Sequence, residues 1–139
     1  MTAACRTLVT GGAGFIGSHL SEALLRQGHS VAIVDNFDDF YNPAQKRANL
    51  EEVRGVGEVR VYEVDIRDLP LLRTVFEREG PEVVVHIAAR AGVRPSLERP
   101  KLYEEVNVGG TLNLLMLARE FKTRKFIFAS SSSIYGNAA

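Results

Sequence analysis

The chain has 139 residues, 45% of them hydrophobic and 24% charged, with 17 Lys+Arg balanced by 17 Asp+Glu. That length can bury one core of useful size, so a single globular domain is expected. Zero net charge gives no electrostatic case for a nucleic-acid or membrane partner, no apolar run is long enough to span a bilayer, and the lone Cys5 cannot build a disulfide framework.

The first apolar run, Leu8-Val9, is too short for a signal peptide and leads straight into glycines. A cytoplasmic location is therefore the expectation, and Cys5 reads as a small buried hydrophobe beside the first strand. That strand covers roughly Thr7 to Thr10. The turn Thr10-Gly11-Gly12-Ala13-Gly14-Phe15-Ile16-Gly17 follows it and opens a helix. Unpaired N–H groups at a helix start, with the positive end of the helix dipole, attract a pyrophosphate. Gly11 would shape the turn, Gly14 would let backbone approach the ligand, and Gly17 would let the helix lie close. The apolar face of this helix reads as Ile16, Leu20, Ala23 and Leu24, and Gly28 ends it.

A second run, Val31-Ala32-Ile33-Val34, lacks alternation, as in a parallel strand covered on both faces. It ends in Asp35, 18 residues after Gly17, close to the spacing of about 20 at which a carboxylate accepts both hydroxyls of an adenosine ribose. A carboxylate there repels a 2′-phosphate, which favours NAD over NADP. After the acidic, aromatic loop from Asn36 to Tyr41, Asn42-Pro43 reads as N-cap and first helical residue, with Gln45 completing a capping box. A polar outer helix runs through Ala44 to Val53, and Gly55 and Gly57 break it. The third strand, Val59 to Val64, alternates and so reads as an edge. Asp65-Ile66 closes it. Asp68 caps a helix from Leu71 to Glu79, with Pro70 in its first turn and Gly80-Pro81 as the stop.

The fourth strand, Val83 to Ile87, is another buried run. Ala88 and Ala89 after it leave room beside the strand end. His86 on this strand reads as a hydrogen-bonded structural group, not a general base. A loop, Gly92-Val93-Arg94-Pro95-Ser96, precedes a long helix from about Pro100 to Phe121. Asn107, Gly109 and Gly110 weaken that helix and imply close packing. The fifth strand, Lys125 to Ala129, ends in four serines, Ser130 to Ser133, at the end of a parallel strand where open α/β sheets bind ligands. The fold class is α/β: a Rossmann-like, doubly wound parallel sheet in the order 3-2-1-4-5. The chain stops after strand five, whose bare apolar edge predicts self-association.

Together, TGGAGFIG from Thr10, Asp35, Asp65-Ile66, His86-Ile87-Ala88-Ala89, Asn107-Val108-Gly109-Gly110-Thr111 and Ser130 to Gly136 resemble the extended short-chain dehydrogenase/reductase family. The likeness is to its nucleotide-sugar epimerases, and the segment Ala88 to Arg94 is most similar to the UDP-glucuronate 4-epimerase branch. The resemblance implies NAD as cofactor, held by Gly11, Gly14, Phe15, Ile16, Gly17, Asp35, Asn36, Ala88, Ala89 and Ser130. It implies that Asp65 and Ile66 meet the adenine and that Asn107 is a buried residue on the cofactor side. Arg94 becomes a contact for an anionic substrate, a UDP-sugar, and Ser131 the catalytic hydroxyl. No acidic residue follows Ser131, which favours a plain epimerase over a dehydratase. No metal is expected.

The family's base is a tyrosine with a lysine four positions later, which lowers the phenol's pKa. None of Tyr41, Tyr62, Tyr103 or Tyr135 has that partner. The expectation is therefore the amino-terminal part of a longer, homodimeric enzyme, inactive by itself. A free-standing NAD-binding module and an epimerase for a neutral UDP-hexose are the other readings.

Overall fold

Five short parallel strands carry the molecule, in the order β3-β2-β1-β4-β5. The computed structural model describes residues 4–136. In chain order it contains β1 (Arg6–Thr10), α1 (Phe15–Arg26), β2 (Ser30–Asp35), α2 (Pro43–Val56), β3 (Val59–Glu63), α3 (Leu69–Glu79), β4 (Val83–His86), α4 (Val93–Glu98) and α5 (Pro100–Glu104). A π-helical turn, Glu105–Gly110, leads into α6 (Thr111–Glu120), and β5 (Lys125–Phe128) and a 3-10 turn, Ser132–Tyr135, are the last elements among the described residues. The expected sheet order is the observed one.

Register follows from burying alternate side chains on opposite faces. Leu8 on β1, Ala32 and Val34 on β2 and Val84 on β4 face one way, onto Leu72, Val75 and Phe76 of α3 and Leu114 and Leu117 of α6. Val9, Val31 and Ile33 face the other way, onto Leu50 and Val53 of α2 and Leu20, Leu24 and Leu25 of α1. Val9 lies opposite both Ile33 and Val85. β3 is an edge, as its alternation predicted, and β5 pairs with β4 alone among the described residues.

Several local expectations need correction. Ile16 is 65% exposed and Ala23 is exposed; α1 instead buries Gly17, Ser18 and Ser21. A Cβ on Gly17 would fall 2.2 Å from the Gly11 carbonyl oxygen, so the contact is backbone against backbone. That contact turns Ile16 outward. Asn42 does cap α2, accepting from the Ala44 N–H at 3.0 Å, but Gln45 donates to Asn49 instead of closing a capping box. α2 also continues through Gly55 and stops at Gly57. Asp68 caps α3 through the Leu71 N–H, and Gly80 closes it at φ 49°.

The long helix expected from about 100 to 121 runs without a break from Pro100 to Glu120, with the π-turn at Glu105–Gly110 between α5 and α6; the preceding loop contains α4. A Cβ on Gly110 would overlap the Ile66 side chain at 2.5 Å, which is the close packing expected there, whereas a Cβ on Gly109 would meet nothing within 4 Å, so that glycine is not explained by packing. Cys5 is half-buried, with its Sγ 3.6 Å from His29 Nδ1.

Candidate functional site

A cavity of about 620 Å³ opens at the carboxyl ends of β1 to β4. Its floor is the glycine turn. Gly11 adopts φ 70°, and a Cβ there would meet the Ala88 backbone N at 2.8 Å. This is why the β1 turn and the β4 end can share one wall. Gly14 is the N-cap of α1 and supplies no side-chain cap, so the helix presents its positive end to the cavity. Phe15 and Ile16, exposed on the first turn, line the opening.

The second wall begins at Asp35, only 5% exposed. Its Oδ2 accepts from the Ala13 N–H at 3.1 Å, and its Oδ1 accepts from the Phe37 N–H at 2.9 Å and from Lys46 Nζ at 3.1 Å. Asn49 of α2 donates to the Ala13 carbonyl at 2.9 Å, so α2 braces both the carboxylate and the glycine turn. Beyond it, Asp65 accepts from Asn36 Nδ2 and from the backbone N, Nε and Nη2 of Arg67. The Arg67 hydrogen bonds, above all, hold the Asp65 carboxyl down at about 2. Ile66 and Val106 add apolar lining at this end.

The third wall is Ile87, Ala88, Ala89, Arg90 and Ala91. Asn107 does not line the cavity. It stands behind this wall, accepting from the Arg90 N–H at 2.8 Å and donating to the Arg90 carbonyl at 3.0 Å. Tyr103 donates to the Ala91 carbonyl at 2.6 Å. Arg90 itself donates to Asp38 at 2.6 Å and lies over the Phe40 ring, bridging the β2 and β4 loops.

His86 is beneath this wall, 1% exposed. Thr111 Oγ1 spends its proton on the Asn107 carbonyl, so it accepts from His86 Nε2 at 2.9 Å. His86 Nδ1 is then the acceptor for the Thr10 hydroxyl at 2.6 Å. Burial pushes the imidazole down to about 4, and it is neutral at pH 7. It ties β1, β4 and α6 together, the structural role expected of it.

Of the residues singled out in the sequence, Gly11, Gly14, Phe15, Ile16, Gly17, Asp35, Asn36, Asp65, Ile66, Ala88 and Ala89 converge on this one cavity. Four do not. Asn107 acts from behind, Arg94 lies exposed on α4, and Ser130 and Ser131 lie on the surface past β5. Lys46, Asp38, Phe40, Arg67 and Arg90 were missed. Arg67 had a local signal, standing two residues from Asp65; the others depend on loops meeting across the sheet end. Among the described residues no group of three His, Cys, Asp or Glu could hold a metal, and no helix is long and apolar enough to cross a membrane.

Residues 7–139 match the model of the NAD dependent epimerase/dehydratase family. The chain belongs to that family. The UDP-glucuronate 4-epimerase of Thermodesulfobacterium geofontis (strain OPF15) is 46% identical over 128 residues, covering 92% of this chain and 40% of that relative. UDP-glucuronate 4-epimerase 3 of Arabidopsis thaliana is 45% identical over 130 residues, covering 93% and 30%. Among solved structures, the Thermus thermophilus UDP-glucose 4-epimerase complex with NAD superposes with a TM-score of 0.80 at 43% identity, covering 91% of this chain and 37% of that one. The Stenotrophomonas maltophila UDP-glucose-4-epimerase with bound NAD and formylated UDP-arabinopyranose gives 0.86 at 32% identity, covering 96% and 39%. This member of the family thus spans two fifths or less of the length of these relatives.

Proposed function

We propose that this chain is the cofactor-holding part of an NAD-dependent UDP-sugar 4-epimerase, with UDP-glucuronate as the sugar substrate. The observation that carries the reading is one cavity in which an uncapped helix start, a glycine floor and the buried Asp35 face the same space. The fit to a dinucleotide is steric as well as electrostatic. A Cβ on Gly14 would sit 3.3 Å from the Gly11 carbonyl oxygen, so the turn that forms the floor is packed backbone on backbone. The names of the relatives at 42–46% identity support the choice of sugar.

In this reading the diphosphate lies over the amino end of α1 and the adenosine ribose on Asp35, with the adenine between Asp65 and Ile66. Ala88 and Ala89 leave space for the nicotinamide end, and Asn107 fixes that wall through the Arg90 backbone. The bound cofactor supplies hydride acceptance and return; the protein supplies position. We assign to Ser131 a hydrogen bond to the reacting sugar hydroxyl and to Arg94 a contact with substrate anion. Neither lines the cavity, and this reading assigns the sugar to their side of it. A homodimer in the cytoplasm completes the proposal.

The 139 residues contain no Tyr-x-x-x-Lys. The test has two arms, read by calorimetry and by proton NMR of the sugar. The chain should bind NAD and leave UDP-glucuronate unchanged. A version extended to the length of its relatives should convert UDP-glucuronate to UDP-galacturonate faster than it converts UDP-glucose. Preference for UDP-glucose would overturn the sugar assignment, and no NAD binding would overturn the whole reading.

A further inference from the structure

We propose that Lys46 determines how strongly the site discriminates against a dinucleotide bearing a 2′-phosphate. The inference rests on the reading of the cavity as an NAD site. A carboxylate offers about four acceptor positions. In Asp35 two are taken by backbone, the Ala13 N–H in the glycine turn and the Phe37 N–H. A third is held by Lys46 Nζ at 3.1 Å, and that side chain is only 12% exposed. A ribose diol needs two positions, so one hydroxyl has to replace the lysine.

Lys46 is the one donor of the three that can move, because it stands on a flexible four-carbon stem. Once displaced, its ammonium remains beside the ribose, on a stretch of α2 that lines the cavity with Gln45 and Asn49. The other cations nearby are committed elsewhere. Arg47 lies over Phe37 and pairs with Glu63, Arg67 is held by Asp65, and Arg90 by Asp38. A bare carboxylate repels a 2′-phosphate; a carboxylate with an ammonium a few ångströms away repels it far less. Asp35 therefore sets the preference for NAD, and Lys46 limits its size.

The experiment is calorimetric titration of NAD and NADP into the chain, Lys46→Gln and Lys46→Arg, with circular dichroism to verify folding. Lys46→Gln should raise the ratio of the NADP to the NAD dissociation constant at least about tenfold, while Lys46→Arg stays within about threefold of the parent. Lys46→Met, which keeps the apolar stem, replaces Lys46→Gln if the amide impairs folding. An unchanged ratio with NAD binding retained would overturn the role of Lys46 and leave the NAD site standing. An equal loss of both ligands would make Lys46 a structural brace and overturn the proposal too. Absence of NAD binding to the parent chain would overturn the cavity reading itself, and this inference with it.

Discussion

Between pH 7.5 and 4.5, acidification should destabilise the domain chiefly through one buried side chain, His86. Its imidazole is neutral in the folded state because burial lowers its pKa from 6.5 to about 4. The unfolded chain takes up a proton near 6.5 and the folded chain does not, so stability is full above that value and falls as pH drops toward 4. At ~1.4 kcal/mol per tenfold, the gap amounts to about 2 kcal/mol at pH 5 and about 3 kcal/mol once pH is below 4. The structure supplies the reason that protonation is not tolerated. Nε2 already donates to Thr111, and Nδ1 must accept from Thr10, whose oxygen also faces the Ile87 and Ala88 N–H groups at 3.3 Å. Asp65 adds little, because its contribution is lost only as pH falls from the unfolded 3.8 toward about 2, beneath the measured range, and the exposed Glu82 and Glu120, also lowered, add an acid-end loss that His86→Gln shares. Urea denaturation at pH 7.5, 6, 5 and 4.5 measures the slope, with His86→Gln as the control that keeps one donor and one acceptor. A flat profile in the parent, or an equally steep one in His86→Gln, would refute the reasoning.

Gly17→Ala should cost more than about 3 kcal/mol and abolish NAD binding, because its Cβ would meet backbone at 2.2 Å; Gly28→Ala, which meets nothing but has φ 82°, should cost about 1 kcal/mol and leave binding intact. Denaturation and calorimetry on both variants check this. Glu79 is buried, paired with Arg60 and accepting from Tyr62, whose phenol is pushed up by burial and by that bond. Glu79→Ala should cost about 2–3 kcal/mol in urea denaturation by leaving two donors without their acceptor. At β5, where Ile127 and Phe128 are exposed, light scattering should detect concentration-dependent self-association that Ile127→Lys reduces.

The strands and the glycine turn were legible because they depend on local pattern, and the strand order because alternating strands and helices in a doubly wound sheet leave few topologies. Continuous runs such as Val31 to Val34 mark strands buried on both faces, and a turn of Gly11, Gly14 and Gly17 leaves the backbone few alternatives. The face of α1 was misread because period alone rewards Ile16, whereas the contact that positions the helix is made by Gly17 and Ser21. The region from 93 to 120 was read as one loop and one helix. The long helix was legible, but the π-turn within it at Glu105–Gly110 was not; Gly110 there packs on Ile66, a contact that no window of sequence contains. The site divides the same way. Asp35 and Asp65 follow strand ends and announce themselves. Lys46 and Arg90 matter only because α2 and the β4 loop return to the same sheet end, a meeting set by tertiary structure.

In the proposed NAD complex the dinucleotide lies over the start of α1, with its adenosine held at the ends of β2 and β3. Amide chemical shifts of the isotope-labelled chain, followed during addition of NAD, test this placement most directly. Saturable shifts are expected at Gly14 to Gly17, Asn36 and Ile66, reduced in Asp35→Ala. Shifts clustered instead around Arg47, Leu50 and Arg54, where a smaller cavity lies, or none at all, would contradict it.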